Sequence, residues 1–217
     1  MTQQSPILVD VVSDVVCPWC YVGAKHLEQA LANLSGETVL IRWRPYQLDP
    51  TIPADGLDRK AYMQKKFGDG PQLKEAHQRL EALGANAGIE FDFEAIQKSP
   101  NTLDAHRLIR WAFEAGGQDV VVKTLFSAYF ERGIDIGDKS ILADIAGACG
   151  MARAAIRSKL DTQDDVDAVK TEISEAQKLG ISGVPFFIMN GKVGVSGAHP
   201  AETLLQAIRQ SLGQADA

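Results

Sequence analysis

Apolar positions recur along this chain in two different periods, and the changes of period divide it. Ile7-Leu8-Val9-Asp10-Val11-Val12-Ser13 is short, β-branched and interrupted only by small polar groups, the pattern of a buried strand. A helix is expected from Cys17 to about Leu34, with Ala24, Leu27, Leu31 and Leu34 on one face and Ser35-Gly36-Glu37 ending it. Val39-Leu40-Ile41-Arg42-Trp43-Arg44 reads as a second strand, stopped by Pro45. Turn residues crowd the stretch Asp49-Pro50-Thr51-Ile52-Pro53-Ala54-Asp55-Gly56, which reads as a connector out of the sheet.

Helical spacing then dominates for about a hundred residues. Leu73, Ala76, Leu80 and Leu83 form one stripe; Leu103, Leu108, Trp111 and Ala115 another; Val121, Leu125 and Tyr129 a third. Gly116-Gly117, Gly133 and Gly137 punctuate these elements, and Val166, Val169, Ile173 and Ala176 mark a last long helix closed by Gly180. Strand signals return in Val184-Pro185-Phe186-Phe187-Ile188-Met189 and Lys192-Val193-Gly194-Val195, joined by Asn190-Gly191, a strong two-residue hairpin signal. A final helix is expected from about Pro200 to Leu212, with Leu204, Leu205, Ala207 and Ile208 inward. The order is β-α-β, helices, then α-β-β-α. It predicts an α/β thioredoxin-like fold with a large all-helical insertion: a discontinuous core of residues 1–50 and 165–217, and an inserted helical domain of residues 51–164.

Composition narrows the partners. A net charge of −6 with scattered Lys and Arg argues against a nucleic-acid footprint. No apolar run approaches the ~20 residues of a membrane span, so no membrane partner is expected. Met1-Thr2-Gln3-Gln4-Ser5-Pro6 shows neither a basic n-region nor an apolar h-region, so a cytoplasmic location is expected. Three cysteines are too few for a disulfide scaffold, and in a reducing compartment a CxxC is more often catalytic or metal-binding than structural.

The chemistry concentrates in Cys17-Pro18-Trp19-Cys20, directly after the first strand. Pro18 suits the first turn of a helix, where its missing N–H goes unmissed. The free N–H groups and the helix dipole there stabilise an anion, which makes Cys17 the expected nucleophile. Cys20, one turn on, is placed to close a small disulfide or resolve a mixed one. Zinc would need two further ligands, whereas the four histidines (His26, His77, His106, His199) show no paired pattern and Cys149 stands alone.

Three stretches carry a family resemblance: Asp14-Val15-Val16-Cys17-Pro18-Trp19-Cys20-Tyr21-Val22-Gly23, Asn101-Thr102-Leu103-Asp104-Ala105-His106-Arg107-Leu108 and Gly180-Ile181-Ser182-Gly183-Val184-Pro185-Phe186-Phe187. Through them the chain resembles the DsbA-like thioredoxin superfamily, in particular its FrnE-like branch of cytoplasmic dithiol–disulfide oxidoreductases, over essentially its whole length. The resemblance implies thiol–disulfide exchange with protein or small-molecule thiols and disulfides, no bound cofactor, and glutathione at most as co-substrate. It also implies a cis bond before Pro185, with Pro185 across from Cys17. Pro18 and Trp19 are then expected to tune access and contact substrate, and Val184 and Pro185 to present backbone to an extended substrate segment.

Other residues have plainer readings. Cys149 ends the stripe Ile141, Leu142, Ile145 and Ala146 and reads as a small buried hydrophobe. His106 reads as a structural histidine with the groove as its alternative, and His199 as part of a helix entry where an anion is the alternative. Asp14, three residues before Cys17, is a candidate influence on that thiol. Two other function classes stay open. The kappa-type glutathione transferases and 2-hydroxychromene-2-carboxylate isomerases share this architecture, but typically place serine at the position of Cys17 and an acidic-basic pair where this chain has Ser196-Gly197-Ala198-His199. A redox sensor or chaperone-like module would cycle its disulfide without turning over an added substrate.

Overall fold

In the computed structural model, which describes residues 6–34, 36–68 and 71–213, the first apolar run forms β1 (Ile7–Ser13), buried along almost its whole length. Cys17 caps the helix α1 (Pro18–Ala32) without being part of it, and Pro18 occupies the first helical position. The helix stops before Leu34 because Asn33 closes it: the Asn33 backbone N–H donates to Ala30 O and its side-chain amide to Gln29 O at 2.8 Å. Ser35 and residues Met1 to Ser5, on which the expected helix end and the reading of the N-terminus partly rest, lie outside the described residues. Strand β2 (Val39–Pro45) pairs in parallel with β1 along all its residues, from Ile7↔Val39 to Ser13↔Pro45.

The chain then leaves the sheet. A two-residue strand, β3 (Leu57–Asp58), precedes α2 (Arg59–Phe67) and α3 (Gln72–Asn86), and pairs antiparallel with β4 (Lys98–Ser99). This ladder had no counterpart in the hydrophobic pattern, because two residues are too short to show alternation. The helices α4 (Leu103–Glu114), α5 (Gln118–Phe130), α6 (Lys139–Ala148), α7 (Arg153–Leu160) and α8 (Val166–Lys178) follow. Ala115, expected on the α4 stripe, instead caps that helix and is exposed.

The return to the sheet is β5 (Phe186–Met189), β6 (Val193–Ser196) and α9 (Ala201–Ser211). β5 begins two residues later than its apolar run, since Pro185 has no N–H to donate and pairing starts at Val12↔Phe186. Asn190 and Gly191 both have positive φ, 52° and 67°, as the tight turn of the β5–β6 hairpin requires. The sheet order is β2-β1-β5-β6, with β1 parallel to β2 and antiparallel to β5. Helices α1 and α9 pack together over Val9, Val11, Phe187 and Met189, while Ala176 of α8 packs with Val12 on the other face. This is the thioredoxin-like frame with its helical insertion. Sheet and insertion share one continuous apolar core, in which Val9 and Leu27 join Leu108, Phe126 and Leu142.

Arg107 ties the insertion to the returning chain. Its fully buried guanidinium donates to the carbonyls of Asp164 (2.7 Å), Lys159 (3.0 Å), Thr162 (3.0 Å) and Leu160 (3.3 Å), and to Asp104 Oδ1 at 2.6 Å. These carbonyls belong to the end of α7 and the connector to α8, so one side chain satisfies a turn that has no ladder of its own. Arg107→Leu leaves them unsatisfied in a buried place and is expected to lower unfolding free energy by about 3 kcal/mol. Urea titration against the unchanged protein checks this; a loss below about 0.5 kcal/mol would contradict the assigned role.

Candidate active site

Both thiols of the CxxC stretch are free and buried. Cys17 has extended backbone (φ −94°, ψ 112°), its carbonyl accepts from the amides of Cys20 (3.0 Å) and Tyr21 (3.3 Å), and its own N–H donates to Asp14 O at 3.0 Å. The Cys17 thiol donates to the Val184 carbonyl at 3.6 Å, across 167 residues of sequence. The Val184–Pro185 peptide bond is cis, and the Pro185 carbonyl accepts from Gly197 N–H at 2.8 Å. Gly23 makes this approach possible: a Cβ there would lie 3.0 Å from Pro185 Cγ and 3.1 Å from Phe187 Cζ. Only a residue without a side chain lets α1 pack this closely against the loop and strand that carry Val184.

The two sulfurs differ in environment. Burial pushes the Cys20 thiol well above its ordinary range, and the adjacent Cys17 sulfur adds to the rise. Next to it, Tyr21 anchors α1 in the insertion, stacking on Phe126 with centroids 5.0 Å apart and donating to Glu131 Oε1 at 2.7 Å. Burial and that carboxylate raise the Tyr21 phenol.

Asp14 is buried beneath the thiols. Its Oδ2 accepts from Leu48 N–H at 2.8 Å and its Oδ1 lies 3.4 Å from His106 Nε2. His106, from α4, is thus a buried structural partner of Asp14, and it also lines a second cleft between β2, α4 and α8. Asn101 explains the motif before it: its Oδ1 accepts from Gln47 (3.0 Å) and from Leu103 N–H (2.9 Å), while its Nδ2 donates to Ile52 O at 2.6 Å. One side chain starts α4 and pins the connector that leaves the sheet.

A cavity of about 500 Å³ opens beside Cys17, Pro18 and the exposed Trp19, with Gly183 and Val184 on the facing wall. It runs into the insertion. Leu73, Ala76 and Leu80 of α3 line it, so the stripe that read as a core face largely borders this space; of the three only Leu80 is buried. Arg59, Tyr62, His77, Ser99 and Tyr129 also line it, and sequence reasoning had singled out none of them for chemistry. They sit in four separate elements, so no spacing connects them. Asp49, which accepts from Tyr62 OH at 2.9 Å, fixes one edge of the cavity, with Lys66 donating to the same hydroxyl at 3.0 Å.

The remaining candidates fall elsewhere. Cys149 is the half-buried C-cap of α6, 3.5 Å from Thr124 Oγ1. His199 precedes the cap of α9, and its carbonyl is 2.9 Å from His26 Nδ1. Among the described residues no three His, Cys, Asp or Glu side chains converge as a metal site would require, and no helix is long and apolar enough to cross a membrane.

A thioredoxin-like sheet with a CxxC pair at the N-terminus of its first helix and a proline loop facing it defines the class of thioredoxin-fold oxidoreductases. Within that class the chain belongs to the DSBA-like thioredoxin domain family, whose model matches residues 8–209. It is 28% identical over 201 residues to the Bacillus subtilis protein YwbO, covering 92% of this chain and 94% of that one. A crystal structure of a probable DsbA oxidoreductase from Streptomyces coelicolor aligns with a TM-score of 0.86 at 30% identity, over 97% of this chain and 92% of that one. A 2-hydroxychromene-2-carboxylate isomerase aligns with a TM-score of 0.72 at 17% identity, over 96% of this chain and all of that one, a likeness of fold alone.

The raised Cys20 thiol predicts an alkaline weakness of the reduced protein. The folded state holds that proton more tightly than the unfolded chain, so its contribution is present below the ordinary thiol value of 9.0 and lost as pH rises beyond it. The Cys20→Ala variant is therefore expected to show a flatter fall of urea midpoint between pH 8 and 10 than the unchanged protein under reducing conditions. Identical slopes would refute it.

Proposed function

We propose that this chain is a dithiol–disulfide oxidoreductase in which Cys17 is the nucleophile and Cys20 the resolving thiol. The observation that carries the reading is the unequal pair: Cys17 at the helix cap against the Val184 carbonyl, Cys20 buried behind it. Ionised, Cys17 attacks one sulfur of a substrate R–S–S–R′, forming Cys17–S–S–R and releasing R′–S⁻, which takes up a proton. Cys20 then gives up its proton and attacks the Cys17 sulfur, releasing R–SH and closing the Cys17–Cys20 disulfide. The substrate gains two electrons and the protein loses two.

The environment times these steps. While Cys17 carries charge, it helps keep Cys20 protonated. Once Cys17 is tied up in the mixed disulfide that charge is gone, and Cys20 becomes easier to deprotonate when its sulfur is needed. Ionisation of Cys17 likewise frees the Val184 carbonyl, the acceptor of its thiol, to take an N–H from an extended substrate segment. Pro18 and Trp19 form the rim at which that segment arrives. In the cytoplasmic setting expected for the chain, glutathione and thioredoxin pools favour reduction or isomerisation over bulk oxidation, with glutathione as a returning reductant.

Reduction of insulin by the unchanged protein, Cys17→Ser and Cys20→Ser tests the roles. Cys17→Ser is expected to lose activity by more than about a hundredfold, and Cys20→Ser to accumulate a mixed disulfide visible by mass spectrometry. Full activity in Cys17→Ser, or a glutathione-dependent isomerisation that survives it, would sink the assignment.

A further inference from the structure

The cavity beside the thiols continues well past them, and its far part is built for something other than backbone. Ile52, Met63, Phe67, Leu73, Leu80 and Phe93 make its walls apolar. At the start of α2 three polar groups gather. Leu57 pairs with Ser99, and Arg59 N–H donates to Gln97 O at 3.0 Å, so the short β3–β4 ladder brings Arg59 and Ser99 to the same wall. Arg59 Nη1 donates to Tyr129 OH at 3.1 Å, and the Tyr129 hydroxyl in turn donates to Lys98 O at 3.2 Å.

This cluster is incomplete. Among the described residues no carboxylate pairs with the Arg59 guanidinium. Ser99 is buried in the cavity wall, and its hydroxyl has no hydrogen-bond partner. A half-buried guanidinium with no carboxylate partner, and a buried hydroxyl with no partner at all, favour an acceptor that can complete them. The acidic side chains on the cavity are engaged elsewhere: Asp49 with Thr51 and Tyr62, Asp14 with Leu48 N–H and beside His106. His77 stacks on Phe93 at 4.2 Å, and burial with Arg59 nearby lowers its pKa, so it adds no anion and little cationic competition.

We propose that this cavity binds small disulfides with an apolar arm ending in a carboxylate, the carboxylate held by Arg59 and Ser99 and the disulfide presented to Cys17. A volume of about 500 Å³ lies in the range of small-molecule sites and has room for one such arm. The guanidinium supplies the charge complement. The inference rests on the dithiol reading above and uses the same balanced exchange: the arm leaves as a thiol, Cys17 and Cys20 end as a disulfide, and two equivalents of a monothiol restore the dithiol.

The test is single-turnover oxidation of the pre-reduced protein by 6,6′-dithiodihexanoate and by its uncharged dicarboxamide. The carboxylate lies far from the sulfurs, so intrinsic reactivity is the same and the rate ratio reports recognition. The acid is expected to react about tenfold faster than the amide, with Arg59→Gln bringing the ratio to within about twofold, Ser99→Ala lowering it severalfold and Arg59→Lys retaining part of it. Because it is a ratio, any loss of folded protein cancels. A ratio near one in the unchanged protein, or one untouched by Arg59→Gln, overturns the proposal. So does rapid oxidation by insulin with neither small disulfide reacting, which would put protein segments in the groove. If no disulfide oxidises the pair, insulin included, the dithiol reading itself has failed.

Discussion

Strand β1 is paired on both sides, in parallel with β2 along seven residues and antiparallel with β5 over four, and the site hangs from that double pairing. Its carboxyl end runs straight into Asp14 and the cap of α1. The pairing with β5 fixes where Pro185 and the Val184 carbonyl come to rest. Register therefore sets the chemistry: a slip of one residue between β1 and β5 would turn Phe187 from the α1 face to the α8 face and move Val184 away from the thiol. Gly23 completes the arrangement by letting α1 sit directly on that junction.

Much of this was legible because it is written in local patterns. The β-branched run of β1, the proline after Cys17, the Asn190-Gly191 turn and the stripe Val166, Val169, Ile173 and Ala176 each depend on neighbours in sequence. What escaped depends on tertiary placement. The β3–β4 ladder is two residues long and carries no periodicity. The α3 stripe Leu73, Ala76 and Leu80 has the spacing of a core face, yet it borders a cavity, and spacing cannot tell a packed neighbour from an open one. Arg59, Ser99 and Tyr129 meet only because three separate elements converge, and Asp14 meets His106 across 92 residues. The CxxC motif announced the thiols; nothing in it announced what lies beside them.

The insertion does more than decorate the sheet. Tyr21 follows Cys20 directly and is locked into the aromatic cluster of Phe91, Phe126 and Phe130, so the inserted helices hold the thiol helix from the side away from Val184. Asn101 and Gln47 pin the connector on the opposite margin. The two thiols are thereby clamped between sheet and insertion. The same helices that shield Cys20 also supply the apolar walls of the cavity, so protection of one thiol and shaping of the space before the other are consequences of the same packing.

The Cys17–Val184 contact spans 167 residues, and this has a consequence for synthesis. On a ribosome the two thiols emerge well before the loop that faces them. At about 5–20 residues per second that gap lasts roughly ten to thirty seconds. During it the nascent chain carries the CxxC stretch without its opposing wall. For that interval Cys17 lacks the backbone acceptor that faces it in the finished fold.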